Sequence, residues 1–139
     1  YYFGYFFKWS MLENYNYIRS NLKNFRTHPK SRTSGTFTNF DSLDDKIDPL
    51  YYYMQYIKFG FGRATRDSCR MIQNDQMLRD EAIELARKYD HEFPSDDFEE
   101  VLSYLDLSEE EFENIVNKHR NDEIWQSVKN NKWELKNKI

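Results

Sequence analysis

Residues 44–67 read DDKIDPLYYYMQYIKFGFGRATRD, and this stretch decides the fold. Asp48-Pro49 sets a good N-cap residue before a proline, whose fixed φ suits the first helical position. A helix is therefore predicted over 49–59, with Leu50, Tyr53, Met54 and Ile57 forming one stripe and Lys58 near its C-terminal end. Gly60 and Gly62 then supply a hinge, because glycine adopts turn conformations and admits close neighbours. A second helix is predicted over 64–74, with Cys69 and Ile72 at helical spacing. Its unpaired N-terminal N–H groups, together with Arg63, Thr65 and Arg66, make a candidate anion site. A plain helical hairpin, with the arginines capping carbonyls or pairing with carboxylates, uses the same residues. GFGRAT is not a phosphate-loop signature, so the spacing leaves both readings open.

Working outward, the capping-box pattern of Ser10 to Glu13 predicts a helix running to about residue 25, with Tyr15, Ile18 and Leu22 on one face. His28-Pro29 closes that region, since the residue before proline avoids the helical conformation. Residues 26–42 form a Ser/Thr/Gly-rich connection of 17 residues, long enough to suggest a lid or binding loop. Beyond the hinge, Leu78, Ala82, Ile83, Leu85 and Ala86 predict an amphipathic helix over 78–89. Ser95 is read as the cap of a short helix ending near 105, and Ser108 to Glu111 is a second capping box. The helix it opens should end near 120 and bury Phe112, Ile115 and Val116. Residues 1–9 read as a strand end or loop, and the tail holds Trp125 and Trp133 as core staples without clear periodicity. The class expected is all-α, with at least five helices and no sheet beyond a short terminal ribbon.

Composition bounds the function. The chain has 139 residues, at most one domain, and it opens on YYFGYFFKWS without an initiator Met, which reads as a start inside a larger protein. No secretory leader is recognisable, and no apolar run approaches the roughly 18 residues needed to span a bilayer. The single cysteine, Cys69, excludes an internal disulfide and reads as a small core residue. A cytoplasmic protein is expected. Residues 1–74 carry a net charge of +5 and residues 75–139 a net of −9, so the hinge lies in the basic half. Dispersed basic residues in an acidic chain argue against nucleic acid. His28, His91 and His119 share no ligand spacing, and no metal is assigned.

The segments YYFGYFFKW, DDKIDPLYYYMQYIKFGFGRATRD, LRDEAIELARKYDHEFP and IWQSVKNNKWELK resemble, in the same order, the C-terminal region of the N-acetyl sugar amidotransferase family. The resemblance implies a PP-loop ATP-pyrophosphatase domain upstream, with residues 1–139 forming a single helical C-terminal domain of a larger α/β enzyme. It implies conversion of a sugar acetamido group to an acetamidino group in lipopolysaccharide or flagellar glycan biosynthesis. ATP, with Mg, would activate the amide oxygen as an AMP leaving group, and ammonia from a glutaminase subunit would displace it. The sugar substrate is open as to nucleotide linkage, and a homodimer is open as well. The chain departs from the family in two respects. It has no Ser-Gly-Gly-x-Asp-Ser, its glycines being Gly4, Gly35, Gly60 and Gly62. The family's N-terminal cysteine pairs are absent too. No catalytic residue is therefore expected here, and the chain alone should be inactive.

Within that reading, Arg63 and Arg66 are the first candidates to contact a pyrophosphate or nucleotide-sugar phosphate, with Thr65 beside them and Lys58 joining across the hinge. Asp45 and Lys46 are candidates for contacts to ATP or sugar hydroxyls, against a simple solvated loop. Tyr51, Tyr52, Tyr53 and Tyr56 surround their helix, so some can stack on a sugar ring while others pack inward. A second reading is a non-catalytic helical domain for dimerisation or glutaminase docking. Arg63 and Arg66 discriminate: convergence with Lys58 on an open polar cleft favours a ligand site, and burial against carboxylates favours structure.

Overall fold

The computed structural model describes residues 1–128 and 132–137. The described residues form seven helices and one two-stranded ribbon: α1 (Phe3–Phe6), α2 (Met11–Asn21), α3 (Asp48–Phe59), α4 (Arg63–Gln73), α5 (Arg79–Tyr89), α6 (Phe98–Leu105), α7 (Glu109–Lys118), β1 (Trp125–Val128) and β2 (Lys132–Leu135). The architecture is helical, as the residue pattern predicts, and the strands make only a terminal antiparallel ribbon. No helix among the described residues is long and apolar enough to cross a membrane.

The core lies where α3, α6 and α7 meet. Leu50 and Ile57 of α3 pack with Val101 and Leu102 of α6 and with Phe112 and Val116 of α7. Burying each such side chain contributes about 1.5–3 kcal/mol. The predicted α3 stripe is therefore the one that folds the domain, with Tyr53 and Met54 half-buried at its border. A file of edge-on rings continues outward from Tyr53 to Phe93 at 5.2 Å, from Phe93 to Phe98 at 4.8 Å and from Phe98 to Phe112 at 5.1 Å. Edge-to-face geometry is the favoured arrangement for such quadrupoles.

The ribbon docks on the end of α3. Its register pairs Trp125 with Leu135 and Ser127 with Trp133, which places Trp125, Trp133 and Leu135 on one face. Trp125 is buried, donates Nε1–H to the Ile57 carbonyl at 2.6 Å and meets Tyr56 edge-on at 5.3 Å. Gly60 makes this docking possible. It ends α3 in the left-handed conformation with φ of 77°, and a Cβ there would stand 2.8 Å from Ile124 Cγ2.

Several expectations change. Residues 1–9 hold the one-turn helix α1, and their aromatic rings stack on each other while remaining exposed. Helix α2 stops at Asn21, because Leu22 is already extended, well before His28-Pro29. Ser10 does cap it through Glu13 N–H at 3.2 Å, but the Glu13 carboxylate turns to Lys8 at 3.0 Å, leaving half a capping box. Asp48 is the first helical residue of α3, not its cap; Ile47 precedes it, with Ile47 N–H bonded to Asp45 Oδ1 at 2.9 Å. Ser95 is spent on a turn to the Phe93 carbonyl, so α6 begins later, after Asp97. Cys69 is exposed, because α4 buries the side carrying Ala64, Asp67 and Ser68. Ile115 and Leu78 are exposed too.

Candidate functional site

The hinge assembles a polar network in which the charges meet one another. Arg63 leaves the start of α4 and is only 13% exposed. Its Nε–H pairs with the Asp67 carboxylate one helical turn on, its Nη2 with Asp41 Oδ1 at 3.1 Å, and its Nη1 with the Tyr52 hydroxyl at 3.0 Å. The guanidinium also lies over the Tyr52 ring, 4.9 Å from its centroid. Arg66 reaches the same Asp67, at 3.5 Å. Burial pushes the Asp67 carboxyl up while Arg63 pulls it down; burial also opposes the charge on Arg63, yet Asp67 and Asp41 hold the guanidinium above its ordinary value. The two directions pull apart for this pair. With three acceptors arranged on the guanidinium fork, the ionised pair is the state this geometry builds.

The N-terminus of α4 holds an anion, and the anion belongs to the chain. Asp90, just past the end of α5, accepts Thr65 N–H at 2.9 Å and the Thr65 hydroxyl at 2.5 Å. Gly62 admits it: a Cβ at that position would sit 2.8 Å from the Asp90 backbone oxygen and 2.8 Å from Oδ1. The close approach expected at the glycine hinge is thus made by Asp90, and it locks α4 against α5. Lys58 is exposed and lies beside the Phe59 ring at 5.4 Å, outside this network. Lys46 pairs with Glu100 at 2.6 Å on the solvent side of α6, and Asp45 caps Ile47.

The long 26–42 connection is fastened onto the same network. Arg32 binds Glu92 through two hydrogen bonds of 2.6 and 2.5 Å, and Glu92 also accepts Gly35 N–H at 2.9 Å. Thr33, Thr36 and Thr38 are buried, and their hydroxyls serve nearby loop carbonyls and the Asp41 carboxylate. A buried loop must satisfy its backbone in this way. Sequence reading missed Asp41, Asp90 and Glu92, whose partners lie far along the chain; only the hydroxyl-rich loop composition hinted at them.

A different surface is open. Between α3, α5 and the ribbon lies a cleft of about 420 Å³ with Tyr56, Trp125 and Trp133 among its walls and Arg87, Asp90, His91 and Glu134 as the polar residues that line it. Behind it, the Arg120 guanidinium lies over the Trp125 ring at 4.8 Å and the Trp133 ring at 5.6 Å, bracing both indoles. A second cavity, beside His28 and Pro49, measures about 30 Å³, room for a water. No group of three or more His, Cys, Asp or Glu side chains among the described residues is placed to hold a metal.

Residues 34–139 match the sequence profile of the C-terminal domain of WbpG-like LPS biosynthesis proteins. The chain therefore belongs to this family, whose name ties it to lipopolysaccharide biosynthesis. No curated protein matches the chain.

Proposed function

We propose that the chain is the C-terminal part of an ATP-dependent amidotransferase that converts a sugar acetamido group to an acetamidino group. The observation that carries this reading is the family match over residues 34–139, joined to the sequence resemblance described above. ATP and Mg do not fit the described residues. The hinge cations are neutralised by Asp41 and Asp67, and the α4 amide of Thr65 is taken by Asp90. Their site is assigned to an upstream domain, and the present domain serves the acceptor sugar. The internal pairing of Arg63 and Thr65 supports a scaffolding part for both. Lys58 and Arg66 are more open to solvent, but Arg66 pairs with Asp67 and Lys58 stands outside the network. The test uses the full-length protein with ATP, an N-acetylated sugar nucleotide and ammonium. Sugar-dependent AMP and pyrophosphate in equal amounts, with nitrogen replacing the acetyl oxygen by mass spectrometry, is the expected result. ATP left intact with both acceptor and ammonium present overturns the proposal.

A second reading, a docking domain for a glutaminase or a second copy, draws on residues 1–9. Tyr1, Tyr2, Phe3, Tyr5, Phe6, Phe7 and Trp9 are all exposed, an apolar surface that suits a partner. Sedimentation of the full-length protein, alone and with a glutaminase, checks it.

A further inference from the structure

We propose that the cleft between α3, α5 and the ribbon is the binding site for the ring of an N-acylated amino sugar, an assignment that rests on the sugar-directed reading above. Its volume of about 420 Å³ lies within the range of small-ligand pockets, about 300–1,000 Å³. Its character is mixed in the way a sugar ring is mixed. A pyranose presents apolar C–H faces and a belt of hydroxyls, and the cleft offers aromatic rings from Tyr56 and Trp133, with Trp125 buried beside them, and polar groups from Arg87 and His91. Donors and acceptors are both present, as hydroxyls require. The acyl methyl matches the apolar wall that Ala86 and Leu135 continue.

The charge of the described lining does not favour a diphosphate at this position. Among the described residues Arg87 is the one lysine or arginine in the lining, and it pairs with Glu84 at 2.8 Å, while Asp90 adds a carboxylate. A pyrophosphate needs convergent cations or free amides, and a neutral ring does not. The aromatic walls are also preorganised. Trp125 is pinned through Nε1 to Ile57, the strand register sets Trp133 on the same face, and Arg120 stacks against both indoles. Rigid rings lower the ordering cost of binding. Gly60 contributes to the floor a residue without a side chain.

Saturation-transfer NMR and calorimetry on the full-length protein, with free N-acetylglucosamine and N-acetylgalactosamine as probes, test the site. Transfer to the acetyl methyl and ring protons of at least one sugar is expected. Trp133→Ala should raise its Kd about tenfold or more, and His91→Ala about two- to tenfold, the worth of one hydrogen bond. His91 is exposed, so this variant decides the matter if Trp133→Ala fails to fold. No transfer from either sugar, or an unchanged Kd in folded His91→Ala, overturns the site. Cleft-dependent binding without amidine formation keeps the site and removes the reaction. Amidine formation with a sugar KM indifferent to His91→Ala removes the site and keeps the reaction.

Discussion

The hinge and the cleft lie on opposite sides of the Asp90 turn, and they use polarity in opposite ways. At the hinge, Arg63 meets Asp67, Asp41 and Tyr52, and Thr65 meets Asp90, so the charge is consumed inside the fold. At the cleft, half-buried Tyr56 and Trp133 border open space, with Arg120 against the Trp133 ring and Trp125 buried beside them. A local excess of positive charge therefore does not identify a ligand site; what matters is whether the folded chain supplies the counter-charge first. Buried ion pairs that are fully hydrogen-bonded specify structure, and removing one partner is costly.

The sharpest way to break this contrast is Arg63→Ala. It leaves Asp67, only 1% exposed, beside Asp41 with the longer 3.5 Å contact to Arg66 as its remaining ion pair. Breaking a buried pair costs up to about 3–5 kcal/mol. Urea denaturation should show a loss of that size, with the sugar Kd of the folded protein unchanged. A fold that survives intact while phosphate or nucleotide-sugar binding weakens would return the hinge to the status of a ligand site.

Gly62→Ala probes the same region without touching charge. The new methyl meets backbone atoms of Asp90 at 2.8 and 2.9 Å, which cannot rotate aside as a side chain would. Overpacking of this kind costs about 1–3 kcal/mol, read as a lower denaturation midpoint. An unchanged midpoint would mean that α4 and α5 are not clamped at this point.

Asp90→Ala should have a smaller effect, about 0.5–2 kcal/mol, the range for losing a helix cap. It also sharpens the comparison, because it vacates the α4 N-terminus beside Thr65. Inorganic phosphate should then raise the melting temperature of the variant and leave the parent unmoved. Equal stabilisation of both proteins would show that phosphate binds elsewhere.

What could be read from the sequence was local. The α3 stripe, the α5 pattern and the Ser108 box depend on residues within a few positions of each other, and all three form. The hinge was located correctly, yet the partners of Arg32, Arg63 and Thr65 stand 60, 22 and 25 residues away. No periodicity encodes such pairings. Cys69 was misplaced because α4 buries an acid and a serine, the reverse of the apolar face that the pattern assumes. The ribbon escaped a firm reading because its strands are only four residues long: Lys132–Leu135 alternates, but too briefly to stand out, and Trp125–Val128 does not alternate. His91 became a candidate only when the fold set it beside Tyr56 at the cleft.

The smallest effect belongs to the helix start that is wholly local, and it serves as a control for the remote cap at Asp90. Ser108 accepts Glu111 N–H at 3.3 Å, and Glu111 Oε2 accepts the Ser108 backbone N–H at 2.9 Å and its hydroxyl at 2.7 Å. Ser108→Ala should cost about 1 kcal/mol, typical of an exposed cap. The backbone N–H of Ser108, followed by its hydroxyl, holds the Glu111 carboxyl below its ordinary value of 4.5. An acid whose folded value is depressed stabilises the fold above its unfolded value, and that contribution disappears as pH falls through the lowered one. The gap in denaturation midpoint between the parent and Glu111→Gln should therefore be widest near neutrality and close in acid below pH 4.5. A gap that stays constant from neutral to acid pH would show that ionised Glu111 adds nothing to this cap, and the local box would then rest on the Ser108 hydroxyl alone.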